Sequence, residues 1–173
     1  MKILLYLGFG FLLILISYLT LRQALNFNFY ADDWSYIWDM KFEGVKALIP
    51  LVTSSDHPGE VFTYVPFYYL FGLNPKVWQW YGLFLKILAS ISVGQLVPGV
   101  SRFKKTAVIA SLLYASFWGG LEAFYWISGH GSANLIILIS LATYFYTSSY
   151  YKNNVKKYFF SLSLVLISLI FDP

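Results

Sequence analysis

The sequence predicts an all-α membrane protein: a polytopic bundle of about five helical spans, with interfacial helices in the first outer loop. Two observations support this fold class. Of the 173 residues, 58% are hydrophobic and only 12% are charged, whereas soluble domains carry roughly 25% charged residues. The apolar residues also fall in long runs, which suit lipid as the solvent. Residues 1–173 are therefore expected to form a single transmembrane domain.

Five apolar runs are the predicted spans. They cover residues 3–21, 77–97, 106–124, 134–150 and 158–171. The first run could instead be a cleaved signal peptide, but it is long for one, and residues 20–24 lack a small-x-small cleavage site. The last run is shorter than the roughly 20 residues a crossing needs, and the chain stops soon after it at Asp172-Pro173. We therefore expect the chain to be the amino-terminal portion of a longer protein.

Basic residues predict the orientation, with the amino terminus in the cytoplasm. Seven of the twelve fall in short segments on the inner side: Lys2, Arg102, Lys104, Lys105, Lys152, Lys156 and Lys157. All eight acids and both histidines fall at or near the outer side. We expect a multi-pass protein of a bacterial cell (inner) membrane. The scattered basic residues argue against nucleic-acid binding, and the absence of cysteine excludes thiol chemistry.

The first outer loop, residues 22–76, is long enough to suggest function or internal structure. Residues 42–52 have the apolar spacing of a short amphipathic helix. Residues 60–73 form an aromatic run that is too short to span, and tyrosine suits the headgroup level. We expect a helix lying at the interface there, and a re-entrant hairpin is the alternative.

Asp32 and Asp33 are the first candidate for chemistry. Two adjacent carboxylates beside aromatic residues are costly, because repulsion and desolvation both oppose their charge. One could accept the proton of an acceptor hydroxyl, while its neighbour orients it or helps to hold a divalent metal ion. The alternative is structural, since aspartate caps helices well and Asp33 could cap a helix over residues 34–40.

Asp56 and His57 are the second candidate. They precede Pro58, which favours the first position of a helix, so they could simply mark a helix start. In the functional interpretation, the helix start and the imidazole bind a phosphate.

Three further residues are candidates for binding a substrate. Lys86 lies about ten residues into the second span, where a cation is expected to pair with a lipid phosphate or with a carboxylate of another helix. Snorkelling to the interface is the alternative for Lys86. Glu122 and His130 flank an aromatic and glycine-rich stretch at the outer end of the third span. They could be structural, or they could share an outer cavity with Asp32 and Asp33.

The ordered set of motifs resembles the multi-span glycosyltransferases of the GT-C fold, especially the protein O-mannosyltransferase and aminoarabinose transferase group. The resemblance covers nearly the whole chain and lies in four segments: FYADDW at 29–34, DHP at 56–58, LFGLNP at 70–75 and EAFYWISGH at 122–130. Many relatives have His-Pro-Pro-Leu where this chain has His-Pro-Gly-Glu at residues 57–60. They often place histidine at the position of Lys86 and arginine at that of His130, and they have more spans.

The resemblance implies a reaction and its partners. The donor would be a sugar on a polyprenyl phosphate, and the acceptor a glycan, lipid or protein hydroxyl, with inversion at the anomeric carbon. Asp32 or Asp33 would be the base, His57, Lys86 and His130 would face the lipid phosphate, and Glu122 would shape the acceptor site. The rival hypotheses are a transporter or lipid-flipping component, in which no bond is made, and an inactive fragment.

Overall fold

A computed structural model describes residues 2–44, 46, 59, 61–101 and 104–171. Across these residues the chain is all-α, with eight α-helices and no strand, which confirms the predicted class. The helices are α1 (Lys2–Leu21), α2 (Asp32–Glu43), α3 (Val61–Phe71), α4 (Pro75–Ser101), α5 (Lys104–Ser116), α6 (Glu122–Tyr125), α7 (His130–Lys152) and α8 (Val155–Ser168). Single 3₁₀ turns cover Ala24–Asn26 and Ile127–Gly129.

Helix α4 lies at the centre of the packing. It contacts α5 on one side and α7 on the other, α1 packs against α4 and α5, and α8 packs against α7. A buried cluster joins α1, the turn after it, α4, α6 and α7; its members are Leu21, Ala24, Leu25, Leu83, Leu85, Ala89, Phe124 and Ala133. Burial of these apolar side chains holds the helices together.

The turn between α7 and α8 has clear local causes. Asn153 ends α7 in the left-handed conformation with φ 46°, which asparagine adopts more readily than most residues. Asn154 then caps α8, because its side chain accepts a hydrogen bond from the backbone N–H of Lys157 at 3.1 Å. The chain therefore reverses within two residues, and α8 runs antiparallel to α7.

A second buried cluster joins the outer loop to the start of α4. It contains Phe29, Ile37, Tyr64, Trp78 and Ile127, and so brings together the segment before α2, helices α2, α3 and α4, and the turn before α7. The first outer loop and the segment before α7 therefore lie at the same end of the bundle.

The structure tests the predicted spans only in part. Among the described residues, one helix is long and apolar enough to cross a membrane, Pro75–Val97, and it matches the predicted span 77–97. Shorter apolar helices cover Tyr6–Leu21, Val61–Phe71 and Thr106–Ser116. The predicted run 106–124 is not one helix: α5 ends at Ser116, and the chain turns through Gly120 at φ 69° before α6 begins.

The outer loop is helical in two places. Helix α3 covers most of the aromatic run 60–73, for which we expected an interfacial helix. Helix α2 begins at Asp32, where the two acids lie in the first turn and complement the helix dipole. The predicted amphipathic helix 42–52 lies largely outside the described residues.

Candidate functional site

Asp33 joins three segments of the outer end. Its Oδ1 accepts hydrogen bonds from the backbone N–H of Ser128 at 2.7 Å and from the hydroxyl of Tyr64 at 3.3 Å. Its Oδ2 accepts from the backbone N–H of Tyr30 at 3.0 Å. The side chain is 1% exposed. The carboxylate therefore ties the segment before α2 to α3 and to the Ile127–Gly129 turn.

These contacts separate the roles of the two aspartates. Burial raises the pKa of Asp33, and the hydrogen bonds from Tyr30, Ser128 and Tyr64 partly offset that rise. Asp33 is not the helix cap considered above, since Ala31 occupies the N-cap position of α2. Both oxygens of Asp33 are engaged and its side chain is 1% exposed, so the protein holds this carboxylate, whereas the Asp32 side chain is exposed.

Asp32 is exposed and lines a small cavity of about 240 Å³. The other lining residues are Tyr36, Glu122, Ala123, Trp126, Ser128, Gly129 and Ser132. Asp32 and Glu122, which are far apart in the sequence, thus face one space. Of the four residues for which a shared cavity was considered, Asp32 and Glu122 line this one, and Asp33 and His130 do not.

A larger cavity of about 640 Å³ shares Glu122 and Trp126 with the small one. It is lined by Asn26, Phe27, Asn28, Phe29, Tyr30, Glu122, Tyr125 and Trp126. Burial first, and the nearby charge of Glu122 second, raise the pKa of Tyr125. The indole Nε1 of Trp126 is buried without a hydrogen-bond partner among the described residues.

One face of α4 sets the position of Glu122. The amide of Gln79 donates to the carbonyl oxygen of Tyr125 at 3.0 Å, and the Nζ of Lys86 donates to the carbonyl oxygen of Phe117 at 3.2 Å. Between them, Gly82 lies so close to the carbonyl of Phe124 that a Cβ there would clash with it. These three residues recur at helical spacing, and they hold the segment 117–125 that carries Glu122.

Lys86 has an environment that the sequence did not predict. The side chain is fully buried, and its Nζ lies 4.6 Å from the ring centre of Tyr114 and 4.7 Å from that of Phe124. No carboxylate of the described residues pairs with it. The geometry favours neither the expected phosphate or carboxylate partner nor snorkelling. Instead, the cation lies at the carboxyl end of α5, where a positive charge is favourable.

His130 is also fully buried. Its Nε2 lies 3.2 Å from the carbonyl oxygen of Phe124, and its ring packs edge-on against Tyr81. Its Nδ1 has no partner among the described residues. Since His130 is fully buried and lines neither of the two cavities described above, the geometry favours the structural alternative for it over contact with a lipid phosphate.

Two predicted site features are not assembled by the described residues. Asp56 and His57 lie outside them, so their predicted role in phosphate binding stays a prediction. No group of three histidine, aspartate or glutamate side chains in the described part of the chain could hold a metal ion. Since the oxygens of Asp33 already accept protein hydrogen bonds, the Asp32–Asp33 pair does not fit the divalent metal considered above.

Several site residues carried no clear sequence signal. Ser128 acts at Asp33 through its backbone N–H, which any residue except proline supplies. In the sequence, Trp126 and Tyr64 fit the pattern of aromatic residues at a membrane interface. That pattern gave no reason to expect a specific role for their polar atoms. Asn26 and Asn28 flank Phe27 just before the FYADDW segment, and no motif in the sequence marks them as binding residues.

The assembled site offers a solvent-accessible carboxylate pair, Asp32 and Glu122, in a cavity rich in hydroxyl and aromatic groups. Such a site can accept protons or hydrogen bonds from hydroxyl groups. It has no nucleophilic thiol, no metal cluster among the described residues and no lining cation. No protein-family model, curated protein or solved structure matches this chain.

Proposed function

We propose that the chain is a membrane glycosyltransferase, or its amino-terminal part, which transfers a sugar from a polyprenyl-phosphate donor to an acceptor hydroxyl at the outer membrane face. The observation that carries the proposal is the common cavity of Asp32 and Glu122. The sequence resemblance to GT-C enzymes supplies the reaction class. The proposal places Asp32 as the base and Glu122 at the acceptor.

The distribution of exposed apolar side chains supports a multi-span arrangement. Phe11 on α1, Leu113 on α5 and Leu166 on α8 are 69%, 65% and 66% exposed. Water disfavours so many exposed apolar groups, whereas lipid does not. Helix α1 has 20 residues and α7 has 23, lengths of about 30 Å or more at 1.5 Å per residue. We therefore propose about five spans with a cytoplasmic amino terminus.

The proposed reaction is a single displacement. Asp32 takes the proton from the acceptor hydroxyl while that oxygen forms a bond to the anomeric carbon of the donor sugar. The bond between the anomeric carbon and the phosphate oxygen breaks, and the phosphate leaves with the electron pair. The products are an inverted glycoside, a polyprenyl phosphate and a protonated Asp32. Asp33 holds the segment of Asp32 in place and does not take the proton.

In this proposal, the group that stabilises the leaving phosphate lies outside both cavities. No lysine, arginine or histidine of the described residues lines either cavity. Lys86 and His130 are fully buried, which leaves His57 as the candidate that the family resemblance offers.

The test is transfer of a labelled sugar from a polyprenyl-phosphate donor by the protein in lipid nanodiscs, in its full-length context. Asp32→Asn should lower the transfer rate about 10²–10⁴-fold, the usual contribution of a general base. Glu43→Gln, an exposed change at the end of the same helix, is the matched control and should leave the rate unchanged. Equal transfer by Asp32→Asn and the wild type would exclude Asp32 as the base. Donor binding with no transfer by any preparation would favour the lipid-flipping or inactive-fragment hypothesis.

A further inference from the structure

The turn between α7 and α8 is rich in lysine and tyrosine, and the proposed reaction uses none of these residues. We infer that this turn binds the headgroup of an anionic phospholipid. The inference uses the spans proposed above, but it is independent of sugar transfer. Ser132, in the first turn of α7, lines the small cavity of Glu122, whereas Lys152 ends the helix about 30 Å further along at 1.5 Å per residue.

Positive charge at the turn is the first reason. Lys152 is the last residue of α7, and Lys156 and Lys157 are the second and third residues of α8. No aspartate or glutamate occurs in residues 123–171. The helix dipole opposes a cation in the first turn of a helix, so Lys156 and Lys157 are unfavourable there unless an anion offsets them. The charge pattern therefore suits an anionic partner.

A cleft of about 270 Å³ lies at the same turn. It is lined in part by Tyr146, Tyr150, Asn153 and Tyr158, and none of the described lining residues is acidic. Phenol and carboxamide groups can donate hydrogen bonds to phosphate oxygens. Tyrosine is also enriched at the level of the lipid headgroups. The cleft thus offers neutral donors beside the three lysines.

An exposed apolar stripe continues from the cleft along α8. Val155, Phe159, Leu162 and Leu166 follow the spacing of one helical face, and they are 66%, 62%, 40% and 66% exposed. Val155 also lines the cleft, so the stripe and the cleft are continuous. A phospholipid meets the lysines with its phosphate and the stripe with its acyl chains. A free phosphate or a nucleotide would leave the stripe uncovered, so the two surfaces together favour a phospholipid.

Lipid binding to the whole chain, immobilised on beads in detergent, tests the inference. The probes are tritiated palmitoyl-oleoyl phosphatidylglycerol (POPG), which is anionic, and the corresponding phosphatidylcholine (POPC), which has no net charge. We expect POPG to bind at least about tenfold more tightly, because each lysine near the surface contributes about fivefold. Excess sodium phosphate should displace no more POPG than sodium chloride of the same ionic strength, since both screen charge alike.

A pair of charge-removing variants locates the binding. Lys152→Gln/Lys156→Gln changes two exposed side chains at the turn and should weaken POPG binding about 10–30-fold. Lys41→Gln/Lys76→Gln is the matched control, because it removes the same net charge at exposed positions of α2 and α4. The control pair should bind POPG as the wild type does.

A change inside the cleft tests its part separately. Asn153→Asp places a carboxylate in the lining, where it repels a phosphate and should weaken POPG binding about fivefold. Aspartate tolerates the positive φ of this position about as well as asparagine does, so the turn should keep its conformation. Asn74→Asp, also exposed, is the control and should have no effect on binding.

The outcomes separate this inference from the proposed function. Equal binding of POPG and POPC, or equal losses in the two lysine pairs, would overturn it. Displacement of POPG by phosphate but not by sodium chloride would also overturn it, since the turn would then recognise a free anion. Selective POPG binding without any sugar transfer would support the phospholipid site and remove the proposed function, and transfer without selective POPG binding would do the reverse.

Discussion

The charged residues of α2, α4 and α6 differ sharply in their surroundings. Asp33 and Lys86, which we term the closed charges, are 1% and 0% exposed, and both bind main-chain atoms of other segments. Asp32 and Glu122, the open acids, are exposed and line cavities. A buried charge is held by its protein partners, whereas an open one is available to a ligand. The first pair is therefore held by the protein, and the second pair is the one for which we propose a chemical role.

The contrast is sharpest between Asp32 and Asp33, which are adjacent in sequence. Consecutive residues of an α-helix point about 100° apart. In the first turn of α2, this rotation directs Asp33 towards Tyr64 and Ser128 and leaves Asp32 at the cavity. The pair is therefore not a dyad that shares a proton, and each carboxylate has its own role.

The largest expected effect follows from removing the carboxylate of Asp33. In Asp33→Ala, the backbone N–H groups of Tyr30 and Ser128 lose their acceptor. Both hydrogen bonds are part-buried, so at about 1–2 kcal/mol for each donor we expect unfolding to become easier by about 2–4 kcal/mol. Denaturant titration in mixed micelles measures the change.

Asp32→Ala is the matched control for that variant, since it removes the same group one position earlier. It should change the unfolding midpoint little. Equal losses of stability in both variants would mean that the two carboxylates have the same structural role, and the contrast would fail.

Lys86 should give the second largest effect. Lys86→Ala removes a fully buried side chain from between Tyr114 and Phe124, together with its bond to the carbonyl of Phe117. The lost packing destabilises, but removal of an unpaired buried charge partly offsets it, so we expect a net loss of about 1–3 kcal/mol. Lys76→Ala, at an exposed position of the same helix, should stay within about 0.5 kcal/mol. A Lys86→Ala variant as stable as Lys76→Ala would show that the buried lysine does not anchor the segment 117–125.

Part of this contrast could be predicted from the sequence. The helical class followed from composition and from the apolar runs, and the grouping of Asp32 with Glu122 followed from their common position at helix ends on one side. Both depend on side-chain patterns, which a sequence displays. The helix end at Ser116 was missed because the apolar run continues past it, while the glycines at 119 and 120 allow the chain to turn.

The division between closed and open charges could not be predicted. The partners of Asp33 and Lys86 include the backbone groups of Tyr30, Ser128 and Phe117, and backbone groups are the same for nearly every residue type. Only the packing of α2, α3 and α4 brings those groups to the charges. For the same reason, the sequence could not show that one aspartate is buried and the other exposed.

A pH titration gives a smaller effect that is specific to Asp33. Burial raises the pKa of Asp33 in the folded protein above its ordinary value of 3.8. As pH rises from about 3.8 through the folded-state pKa, the folded protein keeps a proton that the unfolded chain releases. The free energy of unfolding therefore falls over this window, by at most about 1.4 kcal/mol per pH unit, and levels off above it.

The Asp33→Asn variant isolates this dependence, because asparagine does not titrate there. Denaturant midpoints of the wild type and of Asp33→Asn are compared at steps between about pH 4 and pH 7. The stability of the wild type relative to Asp33→Asn should decline as pH rises. A relative stability that instead grows with pH would mean that the hydrogen bonds outweigh burial and that the carboxylate is held as the charged form.

The smallest expected change in stability comes from the open acids. Asp32→Asn and Glu122→Gln alter exposed side chains, and the side-chain hydrogen bond between Glu122 and Tyr125 can persist with a glutamine, so each should shift the free energy of unfolding by less than about 0.5 kcal/mol. The same preparations should lose transfer if the proposed function holds, because both residues line the cavity. Measuring stability and function on one sample separates the two effects. A loss of stability above about 1 kcal/mol in either variant, on the scale of a lost buried hydrogen bond, would show that the open acids also hold the fold.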